Sequence, residues 1–257
     1  MRTGFSLVEL SIVLVILGLL TGGILAGQSL IRASELRSVT ADVQRFSSVV
    51  YTFRDKYFAM PGDMSNATKF WQAAGTCPGT NATPQTTTAT CDGNGDGEIG
   101  RGSGAVNSED AEILLAWKHL ANAGLIEGSY SGVTDHTDIA ASLPQYNTGW
   151  NVPKSKLGNG GYVLWYRYNP TGASSQFPHI ATKISFGTYP SGSTEAGAII
   201  KPEEAWNIDT KMDDGRPALG QIHSGTFLAC VTTNVPSTAE YFLTNTGQNC
   251  ILHFFLK

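Results

Sequence analysis

A stretch of 22 residues, Leu10 to Ile31, carries no charged side chain, and a single glutamate, Glu9, stands directly in front of it. It is the one segment of the chain long and apolar enough to cross a bilayer as a helix, which takes ~20 residues. A carboxylate at the edge of such a run is costly unless a cation meets it. Any fold for this chain must therefore accommodate an apolar rod, with an acid at its tip, that a soluble core cannot absorb.

The helical pattern continues past Ile31. Beyond Arg32, apolar residues recur at Leu36, Val39, Val43, Phe46, Val50, Phe53 and Tyr57, in steps alternating three and four. That spacing is one face of a helix, and Arg37, Asp42, Arg45 and Arg54 lie off it. No proline interrupts the chain between Phe5 and Pro61. The sequence thus predicts one helix of about 54 residues, ~80 Å long at 1.5 Å per residue. Its first half would protrude bare and its second half would bury the stripe against a globular head. Gly18/Gly22 and Gly23/Gly27 are spaced as G-x-x-x-G. They read either as close-packing points between helices in lipid or as a local weak spot, since glycine costs a helix ~1 kcal/mol relative to alanine.

Ahead of the rod stands a tiny leader, Met1-Arg2-Thr3-Gly4, followed by Phe5-Ser6-Leu7-Val8-Glu9. This run resembles the processing site of type IV prepilins, the class that includes pilus subunits and the pseudopilins of type II secretion. The resemblance implies cleavage after Gly4 by prepilin peptidase and methylation of the new N-terminal Phe5. It implies a single-pass inner-membrane precursor with a periplasmic head. An inner-membrane platform would assemble it, with copies of itself or homologous pilins, into a helical filament that is periplasmic or extracellular. Glu9 would then pair with the Phe5 amine of a neighbouring subunit. The chain divides accordingly into leader 1–4, membrane and filament-core half 5–34, amphipathic half 35–58 and head 59–257. A secretory signal peptide would instead have an apolar core of roughly 7–15 residues with a small-residue cleavage site after it. A plain signal anchor explains the run and Arg2 on the cytoplasmic side, but gives Glu9 no purpose. Many major pilins carry a proline in the membrane half, and this chain has none there.

The head comprises some 200 residues, enough for one domain with its own core. A net charge of −4 with no basic cluster argues against nucleic acid as a partner. The four cysteines fall into two local groups, Cys77/Cys91 and Cys230/Cys250. In an exported chain such a set reads as two disulfides, and of the three possible pairings the local one is preferred. The competing reading is four reduced, buried cysteines in a cytosolic domain. Ala59-Met60-Pro61-Gly62-Asp63 is a turn ending the long helix, and Asn66 to Ala74 reads as a short helix. A second helix has Glu109, Asp110 and Glu112 in its first turn, Lys118 and His119 in its last, and Gly124 as a left-handed cap. Ile113, Leu114, Trp117 and Leu120 form its buried face. From Gly161 onward, runs rich in β-branched and aromatic residues read as an antiparallel sheet: Tyr162–Tyr168, Ile180–Tyr189, Thr226–Thr232, Tyr241–Leu243 and Ile251–Leu256. The expected class is α+β, a long hydrophobic N-terminal helix of type IV pilin kind packed on a head with an antiparallel sheet.

Asp92-Gly93-Asn94-Gly95-Asp96-Gly97-Glu98-Ile99 matches the first two-thirds of a calcium loop of the EF-hand type. Oxygen side chains stand at positions 1, 3 and 5 (Asp92, Asn94, Asp96), a glycine at 6, and Glu98 offers its carbonyl. Position 12 is Ser103, so a later acid, Glu109 or Asp110, would have to complete a Ca²⁺ shell. The competing reading is a Gly/Asp-rich surface turn without metal. A second acidic group, Asp209 with Asp213 and Asp214, offers another candidate cation site, but it lacks a ligand ladder and contains Lys211, so a polar turn between sheet elements is the preferred reading. These segments, with Pro61-Gly62-Asp63 and Trp117-Lys118-His119-Leu120, resemble a group of large prepilin-type proteins of Gram-negative bacteria over most of the chain.

Nothing in the sequence points to catalysis. There is no G-x-S-x-G, and the five histidines form no H-E-x-x-H spacing. The leading expectation is a structural subunit of a type IV pilus-like or type II secretion filament. An adhesin-like minor pilin or binding module on a membrane stalk comes second, and a signal-anchored periplasmic enzyme is the remote alternative. The head is larger than a simple pseudopilin requires, which favours a minor or specialised subunit.

Overall fold

The computed structural model describes residues 6–74, 87–100, 108–133, 146–169, 179–189, 196–225 and 228–256. Helix α1 runs unbroken from Leu7 to Tyr57, 51 residues, or about 76 Å. Its start is a capping box. The Ser6 hydroxyl accepts from the Val8 amide at 3.3 Å, and Glu9 Oε2 accepts from the Ser6 amide at 2.8 Å. The helix ends at Tyr57, a turn before Pro61, because Phe58 turns left-handed at φ 55° and its amide closes back on the Arg54 carbonyl. The first half stands bare: an 18-residue window of mean hydropathy 2.4 has none of its residues buried. The helix is long and apolar enough to cross a membrane. It continues straight through Gly18, Gly22, Gly23 and Gly27, none of which has another group within 4 Å of where a Cβ would stand.

The apolar stripe is the part of α1 that the head covers. Val39, Val43, Phe46, Val50 and Phe53 are buried, with Leu36 and Tyr57 at its margins. Phe46 is the pivot, meeting Trp117 of α2 (Ser108–Asn122) at 4.9 Å and Tyr162 of strand β1 (Gly160–Asn169) at 5.1 Å, both edge to face. Phe46→Ala removes both contacts and opens a cavity, a change that costs about 3–5 kcal/mol. It is expected to lower the melting temperature of the full chain in detergent by about 10 °C.

The sheet has four antiparallel strands in the order β1 (Gly160–Asn169), β2 (His179–Thr188), β4 (Leu252–Phe255), β3 (Ile222–Ser224). Register puts Tyr162, Leu164, Ile184, Phe186, Leu252, Phe254 and Ile222 on one face, all buried. This is the face that reaches α1, since Tyr162 also packs on Phe186. The opposite face carries Trp165, Lys183, Ser185, His253 and His223. The Ser185 hydroxyl accepts from Trp165 Nε1 at 2.8 Å and meets His253 Nδ1 at 2.9 Å, a buried tie across three strands.

The expected α+β class and the strands at 162–168, 180–189 and 251–256 are present. Four expectations for local structure are corrected. Asn66 to Ala74 contains only a 3₁₀ turn, Ala67–Lys69, because Ala73 and Ala74 are drawn into a bridge with Thr90. Among the described residues of Thr226–Thr232 and Tyr241–Leu243, only Val231 and Tyr241 pair, as an isolated bridge. Pro236 between them has no amide to donate and sits in a 3₁₀ turn, Pro236–Thr238, while the Cys230–Cys250 disulfide fixes the segment from the side. The sequence does not flag β3 as a strand. It also does not flag α3, Pro202–Met212, where it places only a polar turn at 209–215. That helix opens with a proline and Glu203 and Glu204 in its first turn and buries Ala205 and Ile208. α3 ties the head to the stalk: Glu204 holds Arg32 by two charged contacts of 2.7 Å.

The cysteine pairing is seen at Cys230–Cys250. Cys91 is also disulfide-bonded, while Cys77 lies outside the described residues, as do Gly4 and Phe5.

Candidate metal centre

The glycine-rich loop 92–100 is wrapped around two buried carboxylates from elsewhere in the chain. Asp63, in the turn after α1, accepts the Gly95 amide at 2.7 Å and the Gly97 amide at 3.0 Å. Glu112, at the start of the second turn of α2, accepts the Asn94 amide at 2.7 Å and the Gly100 amide at 3.1 Å. Asp96 joins them from the loop itself, and ligand oxygens of Asp63, Asp96 and Glu112 all lie within 4.8 Å of one another.

Local sequence explains how these groups converge. Gly62, at φ 90°, leaves no room for a side chain against the Glu112 carbonyl, so the Pro61-Gly62-Asp63 turn seats directly on α2. Gly93 is equally crowded by the Asp63 backbone. Gly95 and Gly97, both at positive φ, turn their amides inward. Ile99, fully buried, anchors the far end, and its carbonyl accepts the Tyr166 amide of β1 at 2.9 Å. The loop thereby joins α1, α2 and the sheet.

The electrostatics are unfavourable for the acids alone. Burial pushes the Glu112 carboxyl up to about 7, against the Asn94 and Gly100 amides, and the Asp63 and Asp96 charges add to the rise. Burial likewise raises Asp63, opposed by the amides of Gly97 and Gly95. Among the described residues no salt bridge reaches the three. An all-oxygen set of three carboxylates is the donor chemistry of a hard divalent cation such as Ca²⁺ or Mg²⁺ rather than of zinc, so the residues present fit such an ion.

The ligand set expected from the loop alone is only partly brought together. Asp96 is in the cluster. Asp92 faces away and clamps Thr68, accepting from its amide at 2.8 Å and its hydroxyl at 3.0 Å. The Asn94 oxygen accepts the Asp96 amide, and its nitrogen donates to Asp96 Oδ2 at 3.0 Å. Glu98 donates its amide to Asp96 Oδ1 at 2.9 Å. Glu109 and Asp110 lie in the first turn of α2, with side chains outside the described residues, as is Ser103. Among the described side chains of α2, the acid that reaches the loop is Glu112. Sequence reasoning assigned it to the helix dipole and missed Asp63 altogether. The one local signal was a glutamate one turn ahead of Ala116 and two ahead of His119, on a face that is otherwise buried.

His119 and Lys118, read as dipole partners at the end of α2, are buried instead. His119 Nδ1 accepts the Gly62 amide at 3.0 Å, and Nε2 lies 3.0 Å from the Thr90 hydroxyl and 3.2 Å from the Cys91 carbonyl. Burial pulls its pKa down to about 4, which keeps the ring neutral and able to accept. Lys118 donates to the carbonyls of Thr87 and Tyr130. Both residues tie the 87–91 segment to α2.

The second acidic group, Asp209, Asp213 and Asp214, also brings carboxylate oxygens within 4.8 Å of one another, and each of the three accepts hydrogen bonds from the chain. Asp209 accepts the Tyr241 hydroxyl at 2.7 Å and the Gly215 amide at 3.1 Å, and burial pushes it up to about 7. Asp213 accepts the amides of Gln221 and Ile222, and Asp214 accepts that of Arg216. They cap α3 and fix the entry to β3.

Compared along its length, the chain matches no family profile, no curated protein and no solved structure.

Proposed function

We propose that this chain is a prepilin-type structural subunit: a building block of a type IV pilus-like or type II secretion filament, with no catalytic role. The observation that carries the reading is the division of α1. One continuous helix is bare over its apolar half and buried over its amphipathic half, and the changeover falls at Arg32, where Glu204 of the head grips the stalk. Glu9 and Arg32 bracket a charge-free span of 22 residues, about 33 Å and close to a bilayer's ~30 Å hydrocarbon thickness. A rod of this kind is stored in a membrane and, on leaving it, must be covered by other such rods. The Gly4-Phe5 junction and Glu9 supply the processing site and the register-setting charge that such transfer requires.

Mass spectrometry of the mature N-terminus tests this directly. The protein is expected to begin at Phe5 with one added methyl group, after cleavage by prepilin peptidase. An intact Met1 terminus in assembled material would overturn the assignment.

Within the head we propose that Asp63, Asp96 and Glu112 hold a divalent cation, Ca²⁺ by the resemblance of the loop. When bound, it would neutralise the mutual repulsion of the acids and lock the junction of α1, α2 and β1. The role is structural, stiffening the part of the head that bears on the stalk.

A further inference from the structure

We propose that the stalk-proximal end of the head rests on the bilayer surface, through Trp206 of α3 and the exposed apolar side chains of 228–243; the proposal rests on the reading of α1 as a membrane span. Position selects this occupant. The charge-free run of 22 residues ends at Ile31 and measures about 33 Å, or about 31 Å when tilted by ~20°. A hydrocarbon layer of ~30 Å takes up all of it, so Arg32 stands at the lipid headgroups. The polar zone there is only about 5–8 Å deep on each side of the membrane. Glu204 of α3 meets Arg32 at 2.7 Å, and Arg32 Nη2 donates to the Ile199 carbonyl at 3.4 Å. An element in such contact lies in or against that zone in every subunit held by its anchor, with no second protein required.

What this end presents suits the place. On α3, Pro202, Ala205, Ile208 and Asp209 are buried, while Glu203, Trp206 and Thr210, at steps of three and four, are exposed. A tryptophan two residues past Glu204 supplies the amphipathic ring that collects at membrane–water boundaries. Beside α3 lies a charge-poor lobe. Between Arg216 and Lys257, Glu240 is the only Asp, Glu, Lys or Arg. Short links pin this lobe near Arg32: Ile200 bridges Cys250, Cys250 is disulfide-bonded to Cys230, and the Cys230 carbonyl accepts the Phe242 amide at 2.8 Å. Tyr241 reaches α3 itself, donating its hydroxyl to Asp209 at 2.7 Å.

Leu228, Val235, Phe242 and Leu243 of the lobe are 40–60% exposed. Clustered apolar side chains of this kind, rimmed by polar ones, mark a protein or membrane contact. Charge does not choose between the two, because exposed Lys201, Lys211 and Arg216 are matched by exposed Glu203, Asp214 and Glu240. The span chooses, since it holds this end of the head against lipid and leaves the Phe58 end some 25 residues of helix away, about 38 Å.

The test places photoreactive benzoyl-phenylalanine at position 206 or 243 of the full chain, reconstituted into vesicles of phosphatidylethanolamine and phosphatidylglycerol. Position 20, in the bare half of α1, and position 58, at the far end of the head, are the controls. Irradiation is expected to give phospholipid adducts at 20, 206 and 243, identified by mass spectrometry of the linked peptide. The yield at 58, which lies about 38 Å along α1 from the bilayer surface, should be at least about tenfold lower. Each labelled chain should melt as the wild type does, and a head position that fails this check is replaced by 228, the most exposed of the lobe's four at 60%. Lipid adducts at 20 without adducts at 206 or at 243, equal yields at 58, or links to a second copy of the chain in place of lipid overturn the docking and leave the span intact. No adduct at 20 overturns the span, and the docking with it.

Discussion

Glu9→Ala is expected to be exported, cleaved and inserted into the membrane normally, and to enter filaments at least tenfold less than the wild type. At the bilayer edge the carboxylate stays hydrated, so the monomer tolerates it. In the proposed filament core, packed by apolar helices, the Phe5 ammonium of a neighbouring subunit would lose its water, and Glu9 is the one acid in the first 31 residues that could meet it. Leaving that cation buried and unpaired costs several kcal/mol, and each 1.4 kcal/mol is a factor of ten. The structure adds a second task for the same side chain, since Glu9 also caps its own helix through the Ser6 amide. Glu9→Gln separates the two. Glutamine at this position preserves a capping box but carries no charge, so it should fail in assembly as alanine does. Normal assembly of the glutamine variant alone would reduce Glu9 to a cap. Normal assembly of both would return the chain to a signal-anchored surface domain. Immunoblots of sheared filament and membrane fractions read the outcome.

The second large effect concerns the acids around loop 92–100. Saturating Ca²⁺, at 100-fold over its dissociation constant, should stabilise the folded chain by ~2.7 kcal/mol, a rise of about 5–10 °C in melting temperature. The size should depend on pH. Glu112 titrates near 7 in the folded head against 4.5 for the ordinary group, so between those values the folded state holds a proton that the unfolded chain has released. Without metal, the stability from this group is fully present below about pH 4.5 and is lost as pH rises through 7. A cation must displace that proton. The Ca²⁺ effect should therefore be small at pH 5 and largest above pH 7.5. His119 works in the opposite sense. Its folded value of about 4 lies below the ordinary 6.5, so its contribution is present above 6.5 and lost toward pH 4, with or without metal. Glu112→Gln should abolish the Ca²⁺ response and its pH dependence. Asp92→Ala should cost about 1–2 kcal/mol by freeing Thr68 and leave the response intact. Superimposable melting curves in Ca²⁺ and in chelator at pH 8 would leave the loop as a structural turn.

What the sequence by itself determined is everything carried by period and contiguity. The charge-free run, the stripe from Leu36 to Tyr57 and the β-rich segments at 162–168, 180–189 and 251–256 are local patterns. Each specifies a helix face or strand, although the equally β-rich Thr226–Thr232 and Tyr241–Leu243 meet, among the described residues, only at the Val231–Tyr241 bridge. The loop at 92–98 was legible as acid-rich for the same reason. Tertiary structure alone decided which oxygens share a centre. Asp63 and Glu112 lie 49 residues apart and meet because Gly62 lets one turn sit on the other's helix. Asp92, first in the loop's own ladder, was diverted to Thr68. Helix α3 was hidden because its acids read as a polar turn until Asp209 and Asp213 were seen accepting distant amides and a tyrosine hydroxyl. Hydrogen-bond partners of buried polar groups are chosen by which segments the core brings together, and no local spacing encodes that choice.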